Sequence, residues 1–121
     1  MNKNELRNSI LSAIELPRIG KNEMQVAPVP GEMQTQQLQA AVDALSAAGG
    51  GRLTLTAGVY RTGALHLKNG VELHLASKET LVQFVAEQPE QNYPLVFSHW
   101  EASPCYNYSA LLYACDAQDI A

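Results

Sequence analysis

The sequence predicts a mainly β chain in which one amphipathic helix precedes a series of short strands. Between residues 49 and 84, four runs alternate apolar and polar residues, and this is the period of a strand with one buried face. Immediately before them, residues 35–51 have the apolar spacing of a helix instead. The joints between the runs are Ala57-Gly58, Thr62-Gly63 and Asn69-Gly70, which are dipeptides typical of turns.

The four runs predict strands at residues 53–56, 65–67, 71–75 and 81–84. Two arrangements fit them. Asn69-Gly70 could close a two-residue antiparallel hairpin, because Asn-Gly readily adopts the positive φ that such turns require. Alternatively, each strand turns a corner and stacks in parallel on an earlier one, as in a right-handed parallel β-helix. The alternation alone does not separate these arrangements.

The preceding helix favours the parallel stack. Its predicted apolar face consists of Leu38, Ala41, Val42, Leu45 and Ala48. Thr35 is the expected N-cap and Gly49 the expected left-handed residue after the helix. The end of a parallel stack exposes apolar side chains that a terminal element must cover. An ordinary amphipathic helix packed on a small sheet would nevertheless show the same periodicity.

These motifs resemble the N-terminal opening of polygalacturonase-like enzymes, glycoside hydrolase family 28. Residues 35–84 are similar to that family's order of helix, triple glycine, strand, Gly-x-Tyr, Thr-Gly-x-x-x-Leu and x-Leu-x-Leu. The stretch NYPLVFSHWEASPCYNYSALLYACDAQDIA at 92–121 also resembles the family, particularly bacterial members that act on short galacturonides. The resemblance covers about residues 25–121. It implies a single-stranded, right-handed parallel β-helix of the pectin-lyase-like kind, with helix 36–48 as its cap.

The resemblance also implies hydrolysis of α-1,4-galacturonosyl or related pectic linkages, with inversion by two carboxyl groups. The family carries its catalytic residues in Asn-x-Asp, Asp-Asp, Gly-His-Gly and Arg-x-Lys motifs, and none of these occurs here. The only aspartates are Asp43, Asp116 and Asp119. We therefore expect no catalytic residue in this chain, which by itself is expected to be inactive.

Two interpretations of the whole chain follow. In the first, it is the N-terminal part of a pectin-acting hydrolase, with an arm and linker at 1–34 and the capping helix and first rungs, incomplete, at 35–121. Its open C-terminal end, at Leu111–Cys115, is then expected to self-associate, because unpaired strand edges template pairing with other chains. In the second, the chain is a non-catalytic carbohydrate-binding or assembly module.

Candidate substrate contacts lie in the irregular stretch 84–109, which contains three prolines and is rich in aromatic residues. Long loops in compact units are usually functional or disordered, and aromatic residues argue against disorder. Trp100 and Tyr106 are candidates to stack on a pyranose ring, with Glu101 as a hydrogen-bond acceptor. Alternatively, Trp100 only anchors the loop to the stack.

Composition argues against several other classes of function. The formal charge is −4 and the basic residues are scattered, so nucleic acid is not an expected partner. Cys105 and Cys115 have no zinc-motif spacing and are expected to be reduced, with Cys115 in the core of a strand. His66 and His74 alternate with leucines and are expected to point outward. Neither a metal nor a cofactor is expected.

The first twenty residues contain a weak helical stripe of Leu6, Ile10 and Ile14. The apolar part is too short to cross a membrane. It also lacks the basic start and long apolar middle of a secretory signal. These features predict a cytoplasmic protein, with residues 20–34 as a linker or extended arm.

Overall fold

The structure, a computed structural model, describes all 121 residues and contains three helices and nine short strands. The helices are α1 (Lys3–Ser12), α2 (Thr35–Ala47) and α3 (Pro89–Asn92). The strands are β1 (Asn22–Val26), β2 (Gly51–Leu55), β3 (Gly58–Thr62), β4 (Leu65–His66), β5 (Val71–Leu75), β6 (Thr80–Phe84), β7 (Leu95–Trp100), β8 (Ser103–Tyr108) and β9 (Leu112–Tyr113).

Three sets of parallel strands form the body of the molecule. β2, β3 and β4 pair in that order with β5, β6 and β9. β1 pairs in parallel with the other edge of β2. The antiparallel hairpin at Asn69-Gly70 does not form, because β5 pairs with β2 and not with β4.

The predicted strands are present, but their pairing differs in detail from the prediction. Among the four predicted runs, only the first and the third pair directly with each other, as β2 and β5, and the other two belong to separate sheets. The sequence interpretation also omitted β3, which completes the series between β2 and β4. Between β2 and β6, each turn leads the chain into another sheet, so β2 pairs with β5 and β3 with β6, each three strands later.

Residues 20–34 are more ordered than a linker, which corrects that interpretation. Asn22–Val26 forms β1 and pairs with β2 at five consecutive positions. Only Val26 of this strand is buried. α1, in contrast, buries none of its residues, although Asn2 and Glu5 form a complete capping box at its start. The division of the chain into domains stays a prediction.

The helix α2 covers one end of the parallel body. Leu38, Ala41, Val42 and Leu45 are buried and pack with β1, β2, β4 and β5. The predicted cap is wrong, because the N-cap is Gln34 and makes no side-chain cap bond. The Thr35 hydroxyl instead accepts a hydrogen bond from the Gly63 N–H at 2.8 Å. Ala48 lies beyond the helix and is exposed.

The opposite end of the body is uncovered. In a parallel ladder, paired residues point to the same side. Leu55, Thr62 and Leu65 are fully buried, whereas their partners on the next strands are 41%, 59% and 43% exposed: Leu75, Phe84 and Leu112. We call these three side chains the open face. They continue the core but have nothing packed over them.

The triple glycine after α2 is required by close backbone contacts. Gly49 has φ of +97°, and a Cβ there would meet nothing within 4 Å. A Cβ on Gly51 would instead lie 2.2 Å from the carbonyl oxygen of Asn22 and 2.9 Å from Leu45 Cδ2. The absence of a side chain at Gly51 therefore lets β1 and α2 approach β2.

We expect Gly51→Ala to cost about 3 kcal/mol of unfolding free energy, because the added methyl group displaces paired backbone. Gly49→Ala is the matched control and is expected to cost about 1 kcal/mol, from backbone strain alone. Urea unfolding followed by circular dichroism measures both values. Equal costs would show that the β1–β2 approach is not limited by Gly51.

A buried tyrosine joins β1 to β3. Tyr60 is fully buried, and its hydroxyl lies 2.8 Å from the carbonyl oxygens of Val26 and Thr56. A buried carbonyl that loses its donor incurs a desolvation penalty. The hydroxyl therefore holds the end of β1 against the turn between β2 and β3.

We expect Tyr60→Phe to lower the unfolding free energy by about 1–3 kcal/mol, since it removes both hydrogen bonds of a buried hydroxyl. The Val26 carbonyl would keep the Thr56 N–H as a donor. Tyr106→Phe removes the same atom from a side chain that is 73% exposed and is expected to have almost no effect. Chemical denaturation of the two variants provides the comparison. A Tyr60→Phe variant as stable as the parent would contradict the proposed link.

Candidate functional site

The predicted substrate contacts lie on an antiparallel hairpin. β7 and β8 pair at six positions, from Leu95 with Tyr108 to Trp100 with Ser103. Glu101 and Ala102 form the turn, with φ of 46° and 67°, and two positive values are characteristic of a type I′ turn. The stretch predicted to be irregular therefore folds into an ordered hairpin.

The hairpin exposes the three predicted residues but does not direct them to one point. Trp100 is 67% and Tyr106 73% exposed, and Glu101 is exposed in the turn. Residues directly opposite share a face, and successive pairs alternate between faces. Trp100 therefore lies on one face of the hairpin and Tyr106 on the other. The exposure of Trp100 also argues against an anchoring role, and its part in substrate binding stays a prediction.

One face of the hairpin carries an aromatic cluster that the sequence analysis did not single out. Phe97 lies opposite Tyr106, with the two rings edge to face and their centroids 5.6 Å apart. His99 contacts Phe97 in the same manner at 5.7 Å. Leu95 and Tyr108 lie on this face too. The alternation of Leu95, Phe97 and His99 could have revealed it.

Each of the three aspartates is held by a hydrogen bond or an ion pair. Asp43 forms an ion pair with Lys68 at 2.9 Å, and hydrogen bonds from Gln39 and Lys68 lower the pKa of Asp43. Asp119 accepts a hydrogen bond from the Arg18 N–H at 2.9 Å. Asp116 contacts the Cys115 thiol at 3.8 Å. Each carboxylate therefore has a separate local partner, and the expectation that this chain carries no catalytic pair stays a prediction.

A ladder of charges crosses the outer face of the first sheet. Arg52 is paired in register with Glu23 on one side and Glu72 on the other. Its Nε donates to Glu72 Oε2 at 2.6 Å, and this contact raises the pKa of Arg52. Because the guanidinium lies between the two glutamates, this ladder is a structural element of the sheet surface.

The two cysteines form no disulfide, and Cys115 lines the same shallow cleft as His66. Both cysteines are free; Cys105 is half-buried and Cys115 exposed. The core position predicted for Cys115 is wrong, because β9 ends at Tyr113. His66 stacks on Tyr113 with ring centroids 4.7 Å apart. No group of three or more His, Cys, Asp and Glu residues lies close enough together to hold a metal ion.

None of the three helices is long and apolar enough to cross a membrane.

Comparison with solved structures identifies a similar protein, a hyperthermoactive exopolygalacturonase from Thermotoga maritima. The TM-score is 0.84 and the sequence identity 30%, over 97% of this chain and 27% of the exopolygalacturonase. No protein-family model matches the sequence, and no match is found among characterised proteins. The predicted resemblance is thereby confirmed: nearly all of this chain is similar in structure to about a quarter of a polygalacturonase.

Proposed function

We propose that this chain forms the first rungs of a right-handed parallel β-helix, and that the protein it belongs to is a polygalacturonase-like glycoside hydrolase. The observation that carries the proposal is the similarity to the exopolygalacturonase over 97% of the chain. The parallel pairing of β2, β3 and β4 with β5, β6 and β9 also supports it. The proposed substrates are pectic, with α-1,4-galacturonosyl or related linkages.

The proposed reaction is an inverting hydrolysis by two carboxyl groups. One donates a proton to the leaving oxygen and the other activates water, which requires a separation of about 6.5–9.5 Å across the sugar. Asp43, Asp116 and Asp119 each have a local partner, so they are unsuitable as this pair. The chain spans 27% of the length of the exopolygalacturonase, and we assign the catalytic carboxyl groups to other rungs.

The role proposed for this chain is structural support together with substrate contact. α2 closes one end of the stack with Leu38, Val42 and Leu45. The exposed hairpin β7–β8 is suited to contact sugar, with Trp100 on one face and Tyr106 on the other, and Glu101 between the strands. Because the two rings face opposite ways, each would contact a different sugar or a different substrate.

The function is tested first with the isolated chain and polygalacturonate. We expect no release of reducing sugar, since neither general acid nor general base is present. If sugar is released and the release is lost in the double variant Asp116→Asn and Asp119→Asn, the catalytic pair is in this chain after all. A release that this variant retains would indicate contamination by another hydrolase.

A second test uses the gene around the codon for Ala121. A continuing or frameshifted reading frame that encodes Asn-x-Asp and Asp-Asp motifs would support the hydrolase. An extended protein that includes these motifs should hydrolyse polygalacturonate, and Asp→Asn changes in them should lower kcat by about 10²-fold or more. A continuation without any such motif, or an extended protein without activity, would instead favour a non-catalytic binding or assembly module.

The open face gives a prediction about the chain alone. Leu75, Phe84 and Leu112 are 41–59% exposed, and β6 has a free outer edge beside them. Leu95 and Phe97 of the hairpin are exposed apolar residues as well. We expect the isolated chain to associate through this end, with a weight-average mass in sedimentation that rises with concentration.

Charged substitutions on the open face should keep the chain monomeric, as in the double variant Phe84→Lys and Leu112→Lys. Leu6→Lys is the control, because Leu6 is 51% exposed and lies on α1, which contributes no residue to this face. That variant should associate like the parent chain. A single monomeric species of the parent chain at all concentrations would contradict the prediction.

A further inference from the structure

A polar cleft lies away from the hairpin, between the start of α2, the strand β3 and the short helix α3. Its volume is about 750 Å³, within the range of small-molecule sites. Three separate chain segments contribute to its wall. Most of its lining is polar, and Met33 and Val85 are the apolar exceptions.

The polar side chains in this cleft are free to bind a ligand. Gln36, Gln88 and Gln91 line it, and their side-chain amides make no hydrogen bond within the chain. Arg61 belongs to neither of the two ion pairs. The only hydrogen bond of its side chain is a long one, 3.4 Å from Nη1 to the Gly31 carbonyl oxygen. One guanidinium and three amides therefore retain most of their hydrogen-bonding capacity.

The walls of the cleft are fixed by short internal contacts. The Ala64 N–H donates to the Asn92 carbonyl oxygen at 2.8 Å, which joins α3 to the end of β3. The buried Tyr93 donates through its hydroxyl to the Val85 carbonyl oxygen at 2.8 Å. On the opposite side, the Gln34 N–H donates to the Arg61 carbonyl oxygen at 2.8 Å. A ligand would meet a preformed site, which reduces the entropy cost of binding.

We propose that this cleft binds a small acidic saccharide, a sugar that carries a carboxylate. A guanidinium can bind a carboxylate with two parallel hydrogen bonds, and Arg61 has the free N–H groups to do so. Glutamine amides both donate and accept, as sugar hydroxyls do. Met33 and Val85 offer apolar surface to the C–H groups of a ring. The choice of an acidic sugar rests in part on the proposed function.

Glu87 reduces the preference of the cleft for an acidic sugar over a neutral one. It lines the same cleft and is not ion-paired with Arg61. Its negative charge repels the carboxylate of an acidic ligand, whereas a neutral sugar carries no charge for it to repel. A change in this charge should therefore alter affinity for the acidic sugar alone.

The test is a titration of the ¹⁵N-labelled chain with digalacturonate, followed by NMR, with galactobiose as the neutral control sugar. We expect amide shifts at residues 33–36, 61 and 87–92, and weaker binding of galactobiose. Arg61→Gln should weaken digalacturonate binding by at least about tenfold, as expected for loss of a charged hydrogen bond. Arg7→Gln, an equal charge change on the exposed helix α1, should not alter it.

Glu87→Gln should tighten digalacturonate binding and leave galactobiose unchanged. Because this variant keeps Arg61, it tests the site even if Arg61→Gln does not fold. Added salt should weaken binding of the acidic sugar, since screening reduces charge attraction.

Three results would overturn the proposal: no binding at millimolar digalacturonate, equal binding of both sugars, or shifts confined to residues 95–108. The last would locate sugar binding on the hairpin instead. None of these bears on hydrolysis by an extended protein, so the proposed function can stand or fail separately.

Discussion

In-register parallel pairing is the constraint on which this structure depends. β2 and β5 pair at five consecutive positions, and each inward side chain of one strand lies beside an inward side chain of the other. Val71 is therefore paired with Gly51, and Leu73 is paired with Leu53. A shift of one residue would turn every inward side chain outward. The core, the position of α2 and the location of the hairpin all follow from this register.

The triple glycine and Tyr60 maintain the same register from two sides. Gly51 permits β1 and α2 to approach the start of β2. At the other end of the strand, the Tyr60 hydroxyl holds the end of β1 close to the turn that leads into β3. β1 has only one buried side chain, so backbone contacts of this kind must provide much of its attachment. The polar cleft depends on a similar approach, since a Cβ on Gly63 would lie 2.6 Å from the Asn92 carbonyl oxygen.

The sequence was informative wherever burial followed a simple period. The buried face of α2 and the alternation in β2 agree with prediction because one side of each element is apolar. β3 was missed because one of its two buried side chains is Thr62, so no apolar alternation is visible. β1 was missed because nearly all of it is exposed. Both strands are stabilised by pairing with distant residues, which local composition does not encode.

Local sequence is equally uninformative about how the candidate sites are assembled. Trp100, Glu101 and Tyr106 lie on one exposed hairpin, and their division between its two faces depends on strand pairing that the local sequence does not reveal. The cleft around Arg61 was not predicted, because three segments separated along the chain form it. None of these segments has a recognisable motif. Hydrogen bonds of Val85, Asn92 and Tyr93 hold α3 beside β3.

The position of the hairpin, between β6 and β9 along the chain, has a consequence for the order of folding. Gly51 pairs with Val71 and Gly58 with Thr80, partners separated by 20 and 22 positions. Leu65 pairs with Leu112, 47 positions later, because the hairpin and α3 intervene. Each doubling of a flexible loop adds about 0.6 kcal/mol to the entropy cost of closure, and β9 offers only two residues in return. We therefore expect the pairing of β4 with β9 to form last during folding and to open first when the native state fluctuates.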